Sequence, residues 1–109
     1  MSDSLDPGQP LRAARFALGS LVATPGALRV LQQFGVEPLS LIARHVSGDF
    51  GELDAHDLRA NEEAIACGFR VFSAYTLSRD LGSKPESTRI WCITEADRSV
   101  TTLLRPEDY

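Results

Sequence analysis

Residues 93–104 read ITEADRSVTTLL, two short apolar and β-branched runs around a polar turn at Glu95–Arg98. β-Branched residues favour strands, and a turn this tight pairs two strands in antiparallel fashion. Upstream, residues 69–77 read FRVFSAYTL and alternate with a period of two, so that every second residue from Phe69 shares one face. Together these segments predict an antiparallel β-meander.

The meander has three predicted strands, at residues 69–77, 88–94 and 99–104. The polar residues 78–87 are predicted to form a hairpin loop, because they are rich in turn-forming side chains. A further strand is predicted at residues 16–23, which would make the meander three- or four-stranded.

Three helix starts precede the meander. Thr24-Pro25 supplies a hydroxyl N-cap and a proline at the first helical position, Pro38 opens a second helix, and Asp54 caps a third. A glycine follows each helix and favours its termination. In the third helix, Leu58 is expected to face inward together with Ala64 and Ile65, and Asn61 outward with the charged residues.

The pattern predicts an α+β fold, with two or three short helices packed on an antiparallel β-meander of three to four strands. A chain of 109 residues is long enough for one domain. Residues 1–11 are rich in Asp, Ser, Pro and Gly and are predicted to be a flexible N-terminal tail, and residues 12–109 a single α+β domain.

The composition limits the classes of function. The net charge of −4 and a pI near 5.0 do not favour nucleic acid as a partner, because sequence-independent binding relies on clustered Lys and Arg. Two distant cysteines, Cys67 and Cys92, are expected to be buried thiols in a reducing compartment. The chain shows neither a secretory signal nor a membrane span, so we expect a cytoplasmic protein.

The first candidate site is Arg44-His45 followed by the loop that contains Asp49, Phe50 and Glu52. His45 lies near the end of the second predicted helix, where the helix dipole would raise its basicity, and the two carboxylates could orient it. A His–carboxylate pair of this kind performs acid–base chemistry. The alternative is a solvated helix end followed by a turn.

The second candidate site is the meander turn, which gathers Glu95, Asp97 and Arg98 at one end of the sheet. A carboxylate beside a guanidinium could act as a base and an anion clamp for a phosphate ester. The alternative is a hairpin with a surface ion pair.

Cofactor and metal chemistry have little sequence support. The chain contains no phosphate-binding glycine fingerprint, P-loop or nucleophile elbow, so no cofactor is predicted. The two histidines and two cysteines lack zinc-site spacing, and the acidic residues between Asp49 and Asp57 do not match a calcium loop. No metal site is predicted. Trp91, Phe50 and Tyr75 could stack a base, although core packing is the more common role of such residues.

A combination of short motifs resembles a family of small proteins carried on bacterial plasmids, integrative elements and phages. The motifs are 23–28 (ATPGAL), 43–51 (ARHVSGDFG), 73–75 (SAY) and 91–102 (WCITEADRSVTT), together with the acidic-Tyr end. The resemblance covers the chain from about residue 16 onward. It implies a mobile-element setting without a defined chemistry.

Some members of that family are labelled as the modification subunit of a type I restriction enzyme. This chain lacks both the Asn/Asp-Pro-Pro-aromatic motif and the glycine-rich loop that amino-methyltransferases use. It also departs from the family pattern at Phe50, where Trp is usual, and at Arg105, where many members read Leu-Leu-Pro.

Two functions follow as expectations. The first is a non-enzymatic mobile-element accessory protein that binds a macromolecular partner, with a protein favoured, and modulates host defence or element maintenance. The second is a small metal-independent nuclease or phosphoester enzyme, with Glu95 as base, His45 as acid, and Arg98 and Arg44 as anion clamps. The second requires His45 and Glu95 to converge on one cleft. The sequence does not determine the oligomeric state.

Overall fold

The computed structural model describes residues 14–82 and 84–109, so the predicted tail lies outside the described residues. The helices are α1 (Pro25–Gln33), α2 (Pro38–Ser47) and α3 (Ala55–Cys67), and a 3-10 turn covers Pro106–Asp108. The strands are β1 (Ser20–Ala23), β2 (Val71–Leu81), β3 (Lys84–Thr94) and β4 (Val100–Leu104). The predicted α+β class is confirmed.

The strands form one sheet in the order β1-β4-β3-β2. β2, β3 and β4 are joined as the predicted antiparallel meander. β1 departs from that arrangement, because it lies alongside β4 in a parallel pairing. It starts later than predicted, at Ser20, since Gly19 has a φ of +66° and packs against the backbone of Ser99, where a Cβ atom would not fit.

The helix boundaries follow local signals. The side chain of Thr24 accepts a hydrogen bond from the Ala27 amide and that of Asp54 from the Asp57 amide, as expected for N-caps. Gly48 and Gly68 end α2 and α3 in the left-handed conformation. These three helices therefore begin and end close to the predicted positions.

The hairpin between β2 and β3 is longer than predicted. Residues 78–87 were expected to be a loop, but both strands continue through it in register to Leu81 and Lys84. Arg79 and Glu86 face each other across the strands, with Nη2 and Oε1 2.8 Å apart. A cross-strand ion pair of this kind supports a polar hairpin that turn propensity alone does not reveal.

The helices cover one face of the sheet, which we call the inner face. Its core joins Ala27 and Leu31 of α1 to Ile42 of α2 and to the sheet residues Tyr75 and Ile90. The opposite, outer face carries no helix among the described residues. Which sheet face a side chain occupies therefore decides whether it meets the core or the outer surface.

Several expectations of burial were wrong, including those for Phe69, Leu58, Cys67 and Asn61. Phe69 and Leu58 were expected inside but are 55% and 40% exposed, and Cys67 is exposed whereas Cys92 is buried. Asn61, expected outside, is only 3% exposed. Its amide pairs with the backbone of Phe72, donating to the carbonyl over 2.6 Å and accepting from the N–H over 3.1 Å. A polar residue faces inward here because the edge of β2 offers it both hydrogen-bond partners.

Candidate functional site

His45 lies in the core rather than at a solvated helix end. It is fully buried between the rings of Phe16 and Phe50, with centroid distances of 5.2 and 6.4 Å. Its Nδ1 is 2.6 Å from Ser73 Oγ and its Nε2 is 2.9 Å from Thr94 Oγ1. Burial lowers the pKa of His45 to about 4, so the raised basicity expected from the helix dipole is wrong.

The carboxylate expected to orient His45 has another partner. Asp49 accepts a hydrogen bond from Arg44, with Nε and Oδ2 2.7 Å apart, and also accepts one from the Gly51 amide. The hydrogen bond from Arg44 is the main cause of the lowered pKa of Asp49. Arg44 also lies over the Tyr75 ring, 4.5 Å from its centroid. This pair braces the loop after α2 and is not linked to the histidine.

Phe50 packs in the core. It is 3% exposed and clusters with Ala64 and Val71 beneath the start of β2. Tyr75, another candidate for base stacking, is 1% exposed and donates a hydrogen bond to the Asp49 carbonyl. Neither ring presents a face on which a base could stack.

Arg98 holds the meander turn to its neighbours. Its guanidinium donates to the carbonyl oxygens of Phe69 at 2.6 Å, Ala64 at 3.0 Å and Glu95 at 3.2 Å. It thereby binds a carbonyl of the last turn of α3 as well as the turn itself. The sequence identified Arg98 as a candidate anion clamp, but its guanidinium donates to backbone carbonyl groups of the protein itself.

Asp97 stabilises the same turn from outside. Its Oδ1 accepts a hydrogen bond from the Ser99 amide over 3.0 Å. Hydrogen bonds from Ser99 lower the pKa of Asp97. The carboxylate of Asp97 is therefore ionised near neutral pH and accepts its hydrogen bond within the turn.

Glu95 and His45 lie on opposite faces of the sheet. Thr94 directs its hydroxyl to His45 on the inner face, and Glu95, the next residue, points the other way. Glu95 Oε1 is 3.2 Å from Arg70 Nη2. The structure therefore does not bring together the acid and the base that a phosphoester enzyme would need.

An aromatic group lies beside Glu95 on the outer face, and Trp91 is its only member that was singled out from the sequence. We call Phe72, Trp91 and Tyr109 the aromatic cluster. The ring of Trp91 meets Phe72 edge-on at 5.2 Å and Tyr109 at 5.8 Å. Arg70 joins the rim, because its Nη1 donates to the Tyr109 hydroxyl over 2.9 Å.

The aromatic cluster and Arg70 line an open cavity of about 270 Å³ together with Ile93. Tyr109 is 73% exposed, and Phe72 and Trp91 are half-buried. The charge of Glu95 is the first cause of the raised pKa of Arg70. The cavity is thus apolar within, with a guanidinium–carboxylate pair at its rim.

Part of this site was accessible from the sequence. The alternation of side chains along residues 91–95 predicts that Trp91, Ile93 and Glu95 share one face. Phe72 joins them because the hairpin pairs it with Ile93. The predicted strands at 69–77 and 88–94 give this register when their ends, Leu77 and Thr88, are paired. No pattern in the sequence indicated that Tyr109 would return to the same face.

One exposed group has the residue types of a metal site. Asp54, His56 and Asp57 at the start of α3 each offer a ligand atom, and these atoms lie within 4.8 Å of one another. The side chain of Asp54 already accepts the N-cap hydrogen bond of α3. The prediction that the chain has no metal site stays a prediction.

Comparison with known proteins gave no match. No family model, curated protein or solved structure matches this chain. The functional argument therefore depends on the residues themselves. Of the surfaces in the described part of the chain, the aromatic cluster has the chemistry best suited to binding, because it combines Trp, Tyr and Arg around a cavity.

Proposed function

We propose that this protein is a non-enzymatic accessory protein that binds a protein partner through the aromatic cluster and Arg70. The observation that carries the proposal is the cavity of about 270 Å³ on the helix-free face of the sheet. Trp, Tyr and Arg are the residues that most often dominate binding energy at protein interfaces. Trp and Tyr bury a large area with few rotatable bonds to restrict, and the planar guanidinium of Arg makes strong charge-assisted hydrogen bonds.

The electrostatics of the surface favour a protein over a nucleic acid. Among the described residues, Arg70 is the one cation that lines the cavity, and its Nη2 lies 3.2 Å from Glu95 Oε1. A paired guanidinium contributes little to the release of counterions from a phosphate backbone. A neutral aromatic centre with a polar rim is instead the usual arrangement of a protein interface.

The contacts of the enzyme candidates do not favour the alternative function. His45 is buried and neutral, Glu95 lies across the sheet, and Arg98 is engaged with backbone carbonyls. A general acid must reach the proton acceptor on its substrate. In this arrangement a substrate on the outer face would not meet His45.

The setting of the protein is part of the proposal. A role on a mobile element, in modulating host defence or element maintenance, is supported by the family resemblance alone. A cytoplasmic location is supported by the two free cysteines, which fit a reducing compartment. In the described residues, no helix has both the length and the apolar character needed to cross a membrane.

The proposal is tested by capture of a partner followed by quantitative binding. Tagged full-length protein is used to isolate a stoichiometric partner from the native host. The purified partner is then titrated while the fluorescence of Trp91, the single tryptophan of the chain, is followed. We expect the emission to change on binding, because the indole is only partly buried in the proposed interface.

Variants locate the interface. Tyr109→Ala and Arg70→Ala should each weaken binding by about tenfold or more. Arg59→Ala, a change at an exposed arginine on α3, serves as the matched control and should leave the affinity unchanged. The proposal is wrong if Tyr109→Ala and Arg70→Ala both bind as tightly as the original chain, or if no partner is recovered.

A further inference from the structure

Asp108 joins the 3-10 turn Pro106–Asp108 to the start of α1. Its Oδ2 accepts a hydrogen bond from the Thr24 hydroxyl over 2.6 Å, between residues that are 84 positions apart in the chain. Thr24 Oγ1 also accepts from the Ala27 amide over 3.1 Å, as the N-cap of α1. One hydroxyl therefore caps the helix and binds the 3-10 turn, as a group that both donates and accepts can do.

Arg105 holds the same carboxylate from the residue before the 3-10 turn. Its Nη2 donates to Asp108 Oδ1 over 2.7 Å, and its backbone amide donates to Oδ2 over 3.0 Å. The hydrogen bond from the Arg105 side chain is the first cause of the lowered pKa of Asp108, and the Thr24 hydroxyl is the second. The carboxylate is therefore ionised at neutral pH, with both of its oxygen atoms engaged.

The start of α1 is a favourable place for this negative charge. The first turn of the helix contains no acidic residue of its own, and the positive end of a helix dipole stabilises an anion. Asp108 supplies the charge at that position. Arg105 also lies against the helix, because a Cβ atom at Gly26 would overlap its Nε. Two side chains therefore seat the 3-10 turn on α1.

Tyr109 follows the 3-10 turn and reaches the aromatic cluster. Its amide donates to the Pro106 carbonyl over 3.1 Å, and its ring meets Trp91 at 5.8 Å. The chain therefore contacts α1 through Asp108 and the outer face of the sheet through the next residue. Any movement of the 3-10 turn away from α1 would move the tyrosine as well.

The ring of Tyr109 has little burial to hold it in place. The residue is 73% exposed, and its hydroxyl accepts a hydrogen bond from Arg70 Nη1 over 2.9 Å. A ring that stays largely in water gains little from apolar burial, and an exposed hydrogen bond competes with water. The orientation of Tyr109 therefore depends on the backbone that precedes it, which Asp108 fixes.

We propose that Asp108 is a positioning residue for the aromatic cluster, because it fixes the 3-10 turn to α1 and thereby holds Tyr109 against Trp91. The effect on partner binding rests on the proposed function, whereas the positioning is a property of the free chain. An aromatic side chain that is already in place loses less conformational entropy when a partner binds. Asp108 thus contributes to affinity through Tyr109.

Nuclear magnetic resonance of the free protein tests the positioning directly. In the original chain we expect nuclear Overhauser effects between the ring protons of Tyr109 and the indole of Trp91. Asp108→Ala should abolish them, because the 3-10 turn loses its contact with α1. Glu107→Ala, at an exposed carboxylate of the same 3-10 turn, is the matched control and should retain them.

Two substitutions at Thr24 separate this contact from the capping of α1. Thr24→Asp keeps a residue favoured at the N-cap but replaces the hydroxyl donor with a second carboxylate, so the Overhauser effects between Tyr109 and Trp91 should be lost. Thr24→Ser keeps the donor and should retain them. Unchanged amide shifts of the buried residues Val71 and Ile90 are the check that each variant is folded.

Partner affinity measures the effect on binding. Asp108→Ala should weaken binding by about tenfold, as Tyr109→Ala does, because it acts through that ring. For the same reason, the double variant should bind within about twofold of Tyr109→Ala alone.

The two measurements distinguish the failure of this proposal from the failure of the proposed function. Overhauser effects retained in both Asp108→Ala and Thr24→Asp, or additive losses of affinity in the double variant, would overturn the positioning role. Loss of these effects with unchanged affinity would support the positioning role and contradict the use of Tyr109 in partner binding.

Discussion

Ser73 Oγ lies 2.6 Å from His45 Nδ1, and this contact begins a chain of hydrogen bonds through the core. His45 Nε2 contacts Thr94 Oγ1, which is 2.7 Å from Thr101 Oγ1. Thr101 donates to the Leu18 carbonyl over 2.7 Å. Since a carbonyl can only accept, every proton in the chain points toward Leu18.

This direction assigns the tautomer of the buried imidazole. Thr101 accepts from Thr94, Thr94 accepts from His45 Nε2–H, and Nδ1 accepts from the Ser73 hydroxyl. Protonation of Nδ1 would remove the acceptor for Ser73 and place a charge in the core. This row of hydrogen bonds connects α2 to β2, β3 and β4, and through the Leu18 carbonyl to the segment before β1. It is complete only while His45 is neutral.

Acid should therefore destabilise the protein through His45. Its pKa is about 4 in the fold and about 6.5 when unfolded, so the unfolded state binds more protons between these values. The contribution of neutral His45 to the free energy of unfolding is fully present above pH 6.5. It is lost as the pH falls to 4, which lowers the free energy of unfolding by about 3 kcal/mol. Denaturant unfolding at a series of pH values between 4 and 7 measures this loss.

Two glutamine variants isolate the histidine responsible. His45→Gln should lower stability at pH 7 and flatten the dependence between pH 4 and 6.5. His56→Gln, at an exposed histidine, should retain the full dependence. Equal slopes for the two variants would show that His45 does not titrate in this way.

Loss of the Thr101 hydroxyl should be costly. Thr101→Val leaves the Leu18 carbonyl and the Thr94 hydroxyl without their partners in the core, and we expect the free energy of unfolding to fall by about 2 kcal/mol. Thr102→Val makes the same change on the outer face and should alter it by about 0.5 kcal/mol or less. Thermal or urea unfolding compares the two variants. Similar losses in the free energy of unfolding would show that the hydrogen bonds of the Thr101 hydroxyl do not stabilise the core.

Closure of the β2 edge should depend on a glycine. Gly51 has a φ of +75°, and a Cβ atom there would overlap the Ala74 carbonyl, which accepts from the Glu52 amide. Gly35 has a φ of +68° but faces open space. Alanine carries a similar backbone strain at both positions, about 1 kcal/mol, so the difference between the variants isolates the overlap.

We expect Gly51→Ala to cost about 2 kcal/mol more than Gly35→Ala in the free energy of unfolding. Hydrogen exchange should also show loss of protection at the amides of Glu52 and Ala74, which bond across this edge. If the two variants are equally stable and protection is kept, the edge does not need the close approach of Gly51.

The helices could be located from the sequence because their ends depend on neighbouring residues. Thr24 and Asp54 satisfy amides within the first turn of their own helices, and Gly48 and Gly68 adopt the left-handed conformation that ends a helix. The alternation of β2 likewise placed Val71, which is fully buried, on the inner face. These interactions span a few residues, so local chemistry decides them.

The site residues depended on contacts that the sequence leaves open. From the sequence, His45 is expected to be a basic residue near the solvated end of a helix. The packing of α2 against the sheet buries it instead. Its pKa is lowered because desolvation outweighs the helix dipole, so the imidazole is neutral at neutral pH. Arg98 reads as an anion clamp, but the fold directs it at the carbonyl of Ala64, 34 residues away in the chain.

The meander turn and the two strands that flank it were identified from the sequence by local pattern. Only the tertiary structure decided that Glu95 faces the aromatic cluster while Thr94 faces His45, and that β1 joins the sheet in parallel beside β4. The physical reason is that the alternation of side chains assigns them to two faces of a strand but does not determine which of these faces the helices cover. Helix packing, a contact between distant segments, makes that assignment.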